Sequence, residues 1–398
     1  NSEALVHISE ILRRQGKYED ALAAAQKALA IDPASLEAGY NEGLLFDVLG
    51  RFDKAAQAYQ SMVDLTSHAN GAYTSEEKAN RGIFLDRLGN VYLEENKIDK
   101  AISAYQKMID MGGAGAVQGY QEQVDAYHTA KEFGKALAVS RKAVDAIPKS
   151  RDLKLMLAGE LVDQGQPDQG FALAKGLLNN SPNDRAVWFA VAQMDIRLHR
   201  WKDAGEDLDK AQPLATKKED RIYLLFLRGE LADRQKHTGP AEQFFKQALA
   251  LDPSNAMTLN YLGYMLADKG VRLPEALGYI RKAVSMEPGN GAYLDSLGWV
   301  YYKMGQYDLA EDNLRSAVER DQTDPTVHMH MGDLYEKTGR IRLAAAQWQL
   351  SVAEFAKSDP ADIEPGDVAK VQKALESARV KLAKENSAIG RPKPQDGP

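Results

Sequence analysis

The chain repeats itself. Leu259-x-x-Leu262-Gly263-x-x-Leu266 returns one period later as Leu294-x-x-Leu297-Gly298-x-x-Tyr301, and each block runs into a second apolar pattern of helical spacing. Large residues at i, i+3 and i+7 with a small one at i+4 mark one face of an α-helix. A period of roughly 34 residues holds two such helices and a turn. One hairpin of that size cannot bury its own apolar face, so hairpins must stack on one another, and the chain is restricted to an all-α solenoid. Such a fold presents a long surface, and the usual work of that surface is binding.

Counted from Gly291, the clearest block has Leu294 at position 4, Leu297 at 7, Gly298 at 8, Tyr301 at 11, Gly305 at 15, Ala310 at 20, Leu314 at 24 and Ala317 at 27. This block resembles the tetratricopeptide repeat, a helix-turn-helix unit. Small residues at 8 and 20 let the two helices of a hairpin approach closely, and larger ones at 4, 7, 11 and 24 are expected to fill the space between neighbouring hairpins. The resemblance implies a right-handed α-α superhelical solenoid of about ten hairpins over residues 2–357, with copies starting near 2, 36, 82, 117, 151, 185, 222, 256, 291 and 325.

Fidelity to the template varies along the chain. The first three copies are read from Leu5, Ile8 and Ala21, from Gly43 and Tyr59, and from Gly89 and Tyr105. Between the second and third, residues 67–77 with Asn70-Gly71 and Ser75-Glu76-Glu77 read as a loop followed by an N-capped, extended helix. The sixth copy departs most, because Asp195 stands where a large apolar residue is expected, and the eighth carries one extra residue between Gly270 and Pro274. Ser358-Asp359-Pro360 and Glu364-Pro365-Gly366 break the helical pattern before a last amphipathic stretch with Val368, Val371, Leu375, Ala378 and Leu382 on one stripe. That stretch reads as a capping helix over 367–386, and the Gly/Pro-rich residues 387–398 as a disordered tail.

Charge and composition exclude several function classes. A net charge of -7 and no Lys/Arg run with interleaved aromatics argue against nucleic acid as a partner. Apolar runs such as Ile222 to Leu227 are far too short to span a bilayer. Without cysteine the chain has no disulfide, thiol nucleophile or cysteine-based zinc site, a composition that fits cytoplasm and periplasm equally. The sequence opens Asn1-Ser2-Glu3, so a signal peptide, lipid-anchor cysteine or catalytic domain upstream would not be seen in it.

No catalytic constellation emerges, and neither a cofactor nor a metal is expected. His328-x-His330 is the one close histidine pair, and on a helix an i, i+2 pair points to different faces; His328 at position 4 reads as a packing residue. The glycine-rich stretch from Gly112 to Gly119 lacks the Gly-Lys-Ser/Thr ending of a phosphate cradle and follows a helix rather than a strand, so it reads as a flexible turn. Carboxylate pairs such as Glu76-Glu77 and Glu94-Glu95 are ordinary on solvated helices.

In the family that the chain resembles, the concave groove is lined by first-helix positions 2, 5, 9, 12 and 13. Carried over residue by residue, the resemblance implies a peptide- or protein-binding groove whose candidate residues are Phe189, Tyr223, Phe226, Asn260, Tyr264, Asp295, Trp299, Tyr302, Met329 and Asp333. Aromatic rings with an occasional Asn or Asp suit an extended peptide, whose side chains the rings cover and whose backbone the amides and carboxylates bind. The same positions also suit packing between hairpins, with only polar tips showing. The N-terminal half is acidic at its groove positions, with Glu3, Glu10, Asp47, Asp86, Glu94 and Asp125, which fits either a basic segment or, as the favoured reading, a plain solvated face. Asn90 at position 9 is paired with Asp86 at position 5, where the carboxylate clamp of chaperone-binding members needs Lys, so an acidic chaperone tail is not the expected ligand.

The stretch from Asn260 to Trp348 also resembles the C-terminal repeats of bacterial envelope tetratricopeptide proteins, including lipoproteins that act as adaptors for processing proteases. The expectation is therefore a non-catalytic scaffold or adaptor, periplasmic or outer-membrane-associated. The alternatives are a cytoplasmic regulatory or assembly module and the repeat part of a larger enzyme.

Overall fold

The computed structural model describes residues 1–68, 71–364 and 366–389. Among these the chain is all-α with no strand, and it divides into two compact units, Asn1–Lys236 and His237 onward. The N-terminal unit contains α1 (Ser2–Arg14), α2 (Tyr18–Ile31), α3 (Leu36–Val48), α4 (Phe52–Leu65), α5 (Ser75–Glu94), α6 (Ile98–Asp110), α7 (Ala114–Thr129), α8 (Phe133–Ala146), α9 (Arg151–Asp163), α10 (Pro167–Lys175), α11 (Asp184–Arg197), α12 (Trp201–Ala211) and α13 (Lys218–Arg234). The C-terminal unit contains α14 (Thr238–Leu251), α15 (Ala256–Asp268), α16 (Leu273–Met286), α17 (Gly291–Lys303), α18 (Tyr307–Arg320), α19 (Pro325–Lys337), α20 (Ile341–Phe355) and α21 (Asp367–Ile389).

Consecutive helices pair as antiparallel hairpins: α1 with α2 through α11 with α12 in the first unit, and α15 with α16, α17 with α18 and α19 with α20 in the second. Alanine makes the pairing close. Ala21, Ala55, Ala101, Ala136, Ala204, Ala310 and Ala344, all at position 20, have no exposed surface. The turn within a hairpin needs a left-handed residue at position 15, supplied by glycine at 16, 50, 165, 270, 305 and 339. Asn96, Lys131, His199 and Lys236 adopt the same conformation with a Cβ attached. The extra residue of the eighth copy shows as a second left-handed position, Arg272, directly before α16.

Two local readings need correction. The extended helix α5 is capped by Thr74 rather than Ser75: the Thr74 hydroxyl accepts from the Glu77 amide while the Glu77 carboxylate accepts from the Thr74 amide. Asn70, placed in the preceding loop, lies outside the described residues. The glycine-rich stretch is a turn only at Gly112 and Gly113, since α7 starts at Ala114. Gly119 sits inside that helix because a Cβ there would stand 2.8 Å from the Tyr105 carbonyl oxygen of α6.

In the C-terminal unit α20 ends at Phe355, and a short 3-10 turn at Pro360–Asp362 leads to α21, which packs on α20 through Val371, Leu375 and Ala378. Pro365 and the tail residues 390–398 lie outside the described residues, so the readings placed on them are not addressed by the structure. No described helix is long and apolar enough to cross a membrane.

Candidate functional site: the first-helix walls

First helices stand side by side in both units: α5, α7, α9, α11 and α13 in one, α15, α17 and α19 in the other. What each shows on its wall is set from inside the hairpin. A Cβ on Gly43, Gly89 or Gly332, all at position 8, would lie 2.5, 2.3 or 2.4 Å from the aromatic residue at position 24: Tyr59, Tyr105 or Trp348. The glycine lets the ring pass beneath the first helix, and its polar tip emerges at position 9. There the Tyr105 hydroxyl donates to Asn90 Oδ1 at 2.7 Å, and Trp348 Nε1 donates to Asp333 Oδ1 at 3.0 Å. In the second copy position 9 is Leu44, and the Tyr59 hydroxyl is buried without a partner. Position 24, expected between neighbouring hairpins, therefore spans its own hairpin.

The wall of the C-terminal unit is aromatic and tightly paired. His330 stacks on Trp299 with ring centroids 3.9 Å apart and 15° between planes; Tyr302 stacks on Trp299 at 4.8 Å and 9°. His330 Nδ1 lies 2.9 and 3.0 Å from the two carboxylate oxygens of Asp295, so Asp295 fixes the ring that covers Trp299. Trp299 Nε1 donates to Asp268 at 3.3 Å, and Lys303 Nζ reaches the Asp268 carbonyl at 2.7 Å. Helix α21 completes the wall: Lys370 pairs with Asp333 at 3.1 Å and stands 4.0 Å from the Met329 sulfur, and Lys381 pairs with Glu336 at 3.0 Å. Tyr264 is half-buried on this wall. Burial, then the nearby Asp295 and Asp268 carboxylates, push its hydroxyl far above the usual phenol range. Asn260 Oδ1 is buried there with no hydrogen bond.

The wall of the N-terminal unit is built of carboxyl groups. Gln118 Nε2 on α7 donates to Asp86 Oδ1 on α5 at 3.1 Å, and Glu122 on α7 lies beside the same carboxylate. Burial, then the charges of Asp86 and Asp125, raise Glu122 to about 7; Asp86 and Asp125 are raised as well, each chiefly by burial. Further along, His128 Nε2 meets Glu160 Oε1 at 2.7 Å, and that contact raises the histidine's pKa. Of the six acids read as a solvated face, Glu3 and Asp125 are exposed and Glu10, Asp47, Asp86 and Glu94 are half-buried, while Glu160 beside them is 6% exposed.

The ten sequence-nominated residues do not gather in one body. Phe189, Tyr223 and Phe226 belong to the N-terminal unit, where the Phe189 and Tyr223 rings meet edge to face at 5.2 Å; the other seven belong to the C-terminal unit. Phe189, Phe226, Asp295, Trp299 and Met329 are buried in the wall, whereas Tyr223, Asn260, Tyr264, Tyr302 and Asp333 keep half-buried surfaces. His328 and His330 diverge: His328 is buried, bonded to Gln347 and the Gln322 carbonyl, while His330 faces Asp295. Sequence reasoning missed His330 and Glu122 as wall residues. For Glu122 the available signal was its place one turn after Gln118 on α7, the first helix of the hairpin after the one that holds Asp86.

The family models that match, both described as tetratricopeptide repeat, cover residues 9–70, 225–292 and 296–362 in one case and 84–111 in the other. No curated protein matches the chain. Solved structures similar in fold include the crystal structure of the yeast Tom70, at 16% identity over 96% of each chain with a TM-score of 0.44. Another is the APC/C hetero-tetramer Cut9-Hcn1, at 13% identity over 95% of this chain and 96% of that one, with a TM-score of 0.34. Scores of that size carry nothing about function.

Proposed function

From the premise that this chain belongs to the tetratricopeptide repeat family and is a protein-interaction scaffold, we propose that it grips an extended protein segment along the first-helix wall of its C-terminal unit. One observation carries the reading. On one wall Asn260, Tyr264, Tyr302 and Asp333 keep half-buried surfaces, rings and polar tips of the kind that cover the side chains and bind the backbone of an extended peptide. The rigid Asp295–His330–Trp299–Tyr302 stack holds the neighbouring surface in a fixed shape, which lowers the ordering cost of binding.

The test is a selection of extended peptides on the whole protein, followed by anisotropy titrations of the binders. Asn260→Ala with Tyr264→Ala should weaken them about tenfold or more, the loss of one anchor and one hydrogen bond, with helical circular dichroism unchanged. Binders that ignore both substitutions would place the ligand elsewhere. An envelope location rests on the sequence resemblance of residues 260–348; the codons upstream of Asn1 decide it, since a nearby start codon would favour the cytoplasmic module.

A further inference from the structure

We propose that the first turn of α21 is an internal occupant of the C-terminal wall, with Lys370 seated in the place of a partner's lysine or arginine, and that the partner segment enters by displacing it. The proposal rests on the groove reading above and adds what closes that groove and what opens it. Helix α21 is attached on two sides. Val371, Leu375 and Ala378, spaced i, i+4 and i+7, are buried on α20 and form the cap of the unit. A different side of the same helix reaches the first-helix wall. Lys370 Nζ lies 3.1 Å from Asp333 Oδ2, 4.0 Å from the Met329 sulfur and 5.9 Å from the centre of the Trp299 ring, so it touches α19 and approaches α17. At the start of the turn Asp367 stands near His330 on α19 and near Asp268 and Tyr264 on α15, close enough for charge to act between them. One turn of α21 thus meets three first helices, which capping α20 does not require.

The seat that Lys370 takes is set by the hairpin beneath it. Asp333 Oδ1 accepts from Trp348 Nε1 at 3.0 Å, which orients the carboxylate and leaves Oδ2 for a cation. Met329 and Trp299, both buried, line the approach and suit the alkyl stem of a long basic side chain. Any lysine or arginine fits such a seat, and Lys370 is the one tethered beside it. It is loosely held: the Lys370 side chain is 51% exposed, and an ion pair so exposed is weak and screened by salt. Directly before α21, Gly366 has φ +100° with open space around it, a point at which the backbone can turn. The first turn can therefore unwind from Gly366 while Leu375 and Ala378 keep the cap in place.

The probes are the extended peptides selected on the whole protein, sorted into those with and without a basic residue. They are titrated by anisotropy against unaltered protein, Lys370→Ala and Arg379→Ala. Residue 379 lies half a turn round the helix from 370, so its substitution removes the same charge from the opposite side; both side chains are exposed. With the internal competitor gone, Lys370→Ala should bind basic peptides about three- to tenfold tighter. Arg379→Ala should stay within about twofold of the unaltered protein, and peptides without a basic residue should gain nothing. On binding a basic peptide, the amides of residues 370–373, which close the first turn, should exchange hydrogen several-fold faster, while those of α19 and α20 do not. Weaker binding by Lys370→Ala would make the lysine part of the site; unchanged binding would make α21 a plain cap; an equal gain in both variants would reduce the effect to net charge. Each of these overturns the proposal, as does a set of binders without basic residues. Peptides that respond to Asn260→Ala with Tyr264→Ala but not to Lys370→Ala sink this proposal alone, whereas a selection that yields no binder sinks the groove reading first.

Discussion

The two units share one packing rule and use it to build opposite surfaces. In both, glycine at position 8 admits a large residue from position 24, and alanine at 20 has no exposed surface. On that scaffold the C-terminal unit sets a stack of rings whose polar edges are satisfied by Asp295, Asp268 and Asp333, whereas the N-terminal unit sets carboxyl groups whose burial and mutual charge push Glu122 up to about 7. The difference teaches that the repeat dictates the interior and leaves the wall free, so one wall can be a stack of rings while its counterpart is a row of carboxyl groups.

The contrast is most sharply broken at Trp299. Trp299→Ala removes a ring that is 3% exposed and stacked against both His330 and Tyr302, and should cost about 4 kcal/mol in denaturant unfolding. Hydrogen exchange should report the loss in the C-terminal unit while amides of α5 to α9 stay protected; uniform loss would mean that the two interiors are not independent. Next in size is the shared rule itself. Gly89→Ala drives a Cβ into the buried Tyr105 ring and should cost roughly 2–3 kcal/mol, and Gly332→Ala against Trp348 should cost about as much. A cost in one unit alone would show that the rule is not common to both.

Asp195 probes the acidic character of the N-terminal unit away from its wall. Burial, then the charges of Asp207 and Asp203, raise its pKa to about 7, well above an unfolded aspartate. The native state therefore holds a proton that the unfolded chain has released across roughly pH 4 to 7, and stability falls as pH rises through that window. Asp195→Asn should gain on the order of 2 kcal/mol near pH 8 and nothing near pH 4, read as thermal melts at the two ends. A gain at both ends would place the effect in packing instead. The smallest effect belongs to the turns, where the N-terminal unit tolerates left-handed side chains and the C-terminal unit mostly uses glycine. Lys131→Gly should stabilise by about 0.5–1 kcal/mol, and Gly305→Ala should destabilise by a similar amount.

The hairpins were legible because packing imposes their period: Gly298, Ala310 and Gly305 stand where close approach and a left-handed turn demand them. The walls were legible only as positions. Trp299, Asp295 and Met329 sit at groove positions yet are buried, because neighbouring first helices cover them, a fact of tertiary stacking that no single-helix pattern carries. Glu122 was missed because it lies at position 6, off the groove list, and enters the wall only through its contact with Asp86. Asp195 was noticed as an anomaly, and its meaning needed Asp207 on the facing helix.

The contact between position 24 and position 9 has a consequence for anyone who would redesign this molecule. Asn90 and Asp333 are held in place by a tyrosine and a tryptophan that belong to the interior. A library that randomises wall positions alone will leave those buried polar tips stranded in most clones and select mainly for tolerance. Libraries that vary positions 9 and 24 as a pair keep each donor with its acceptor, and so let recognition change without first undermining the fold.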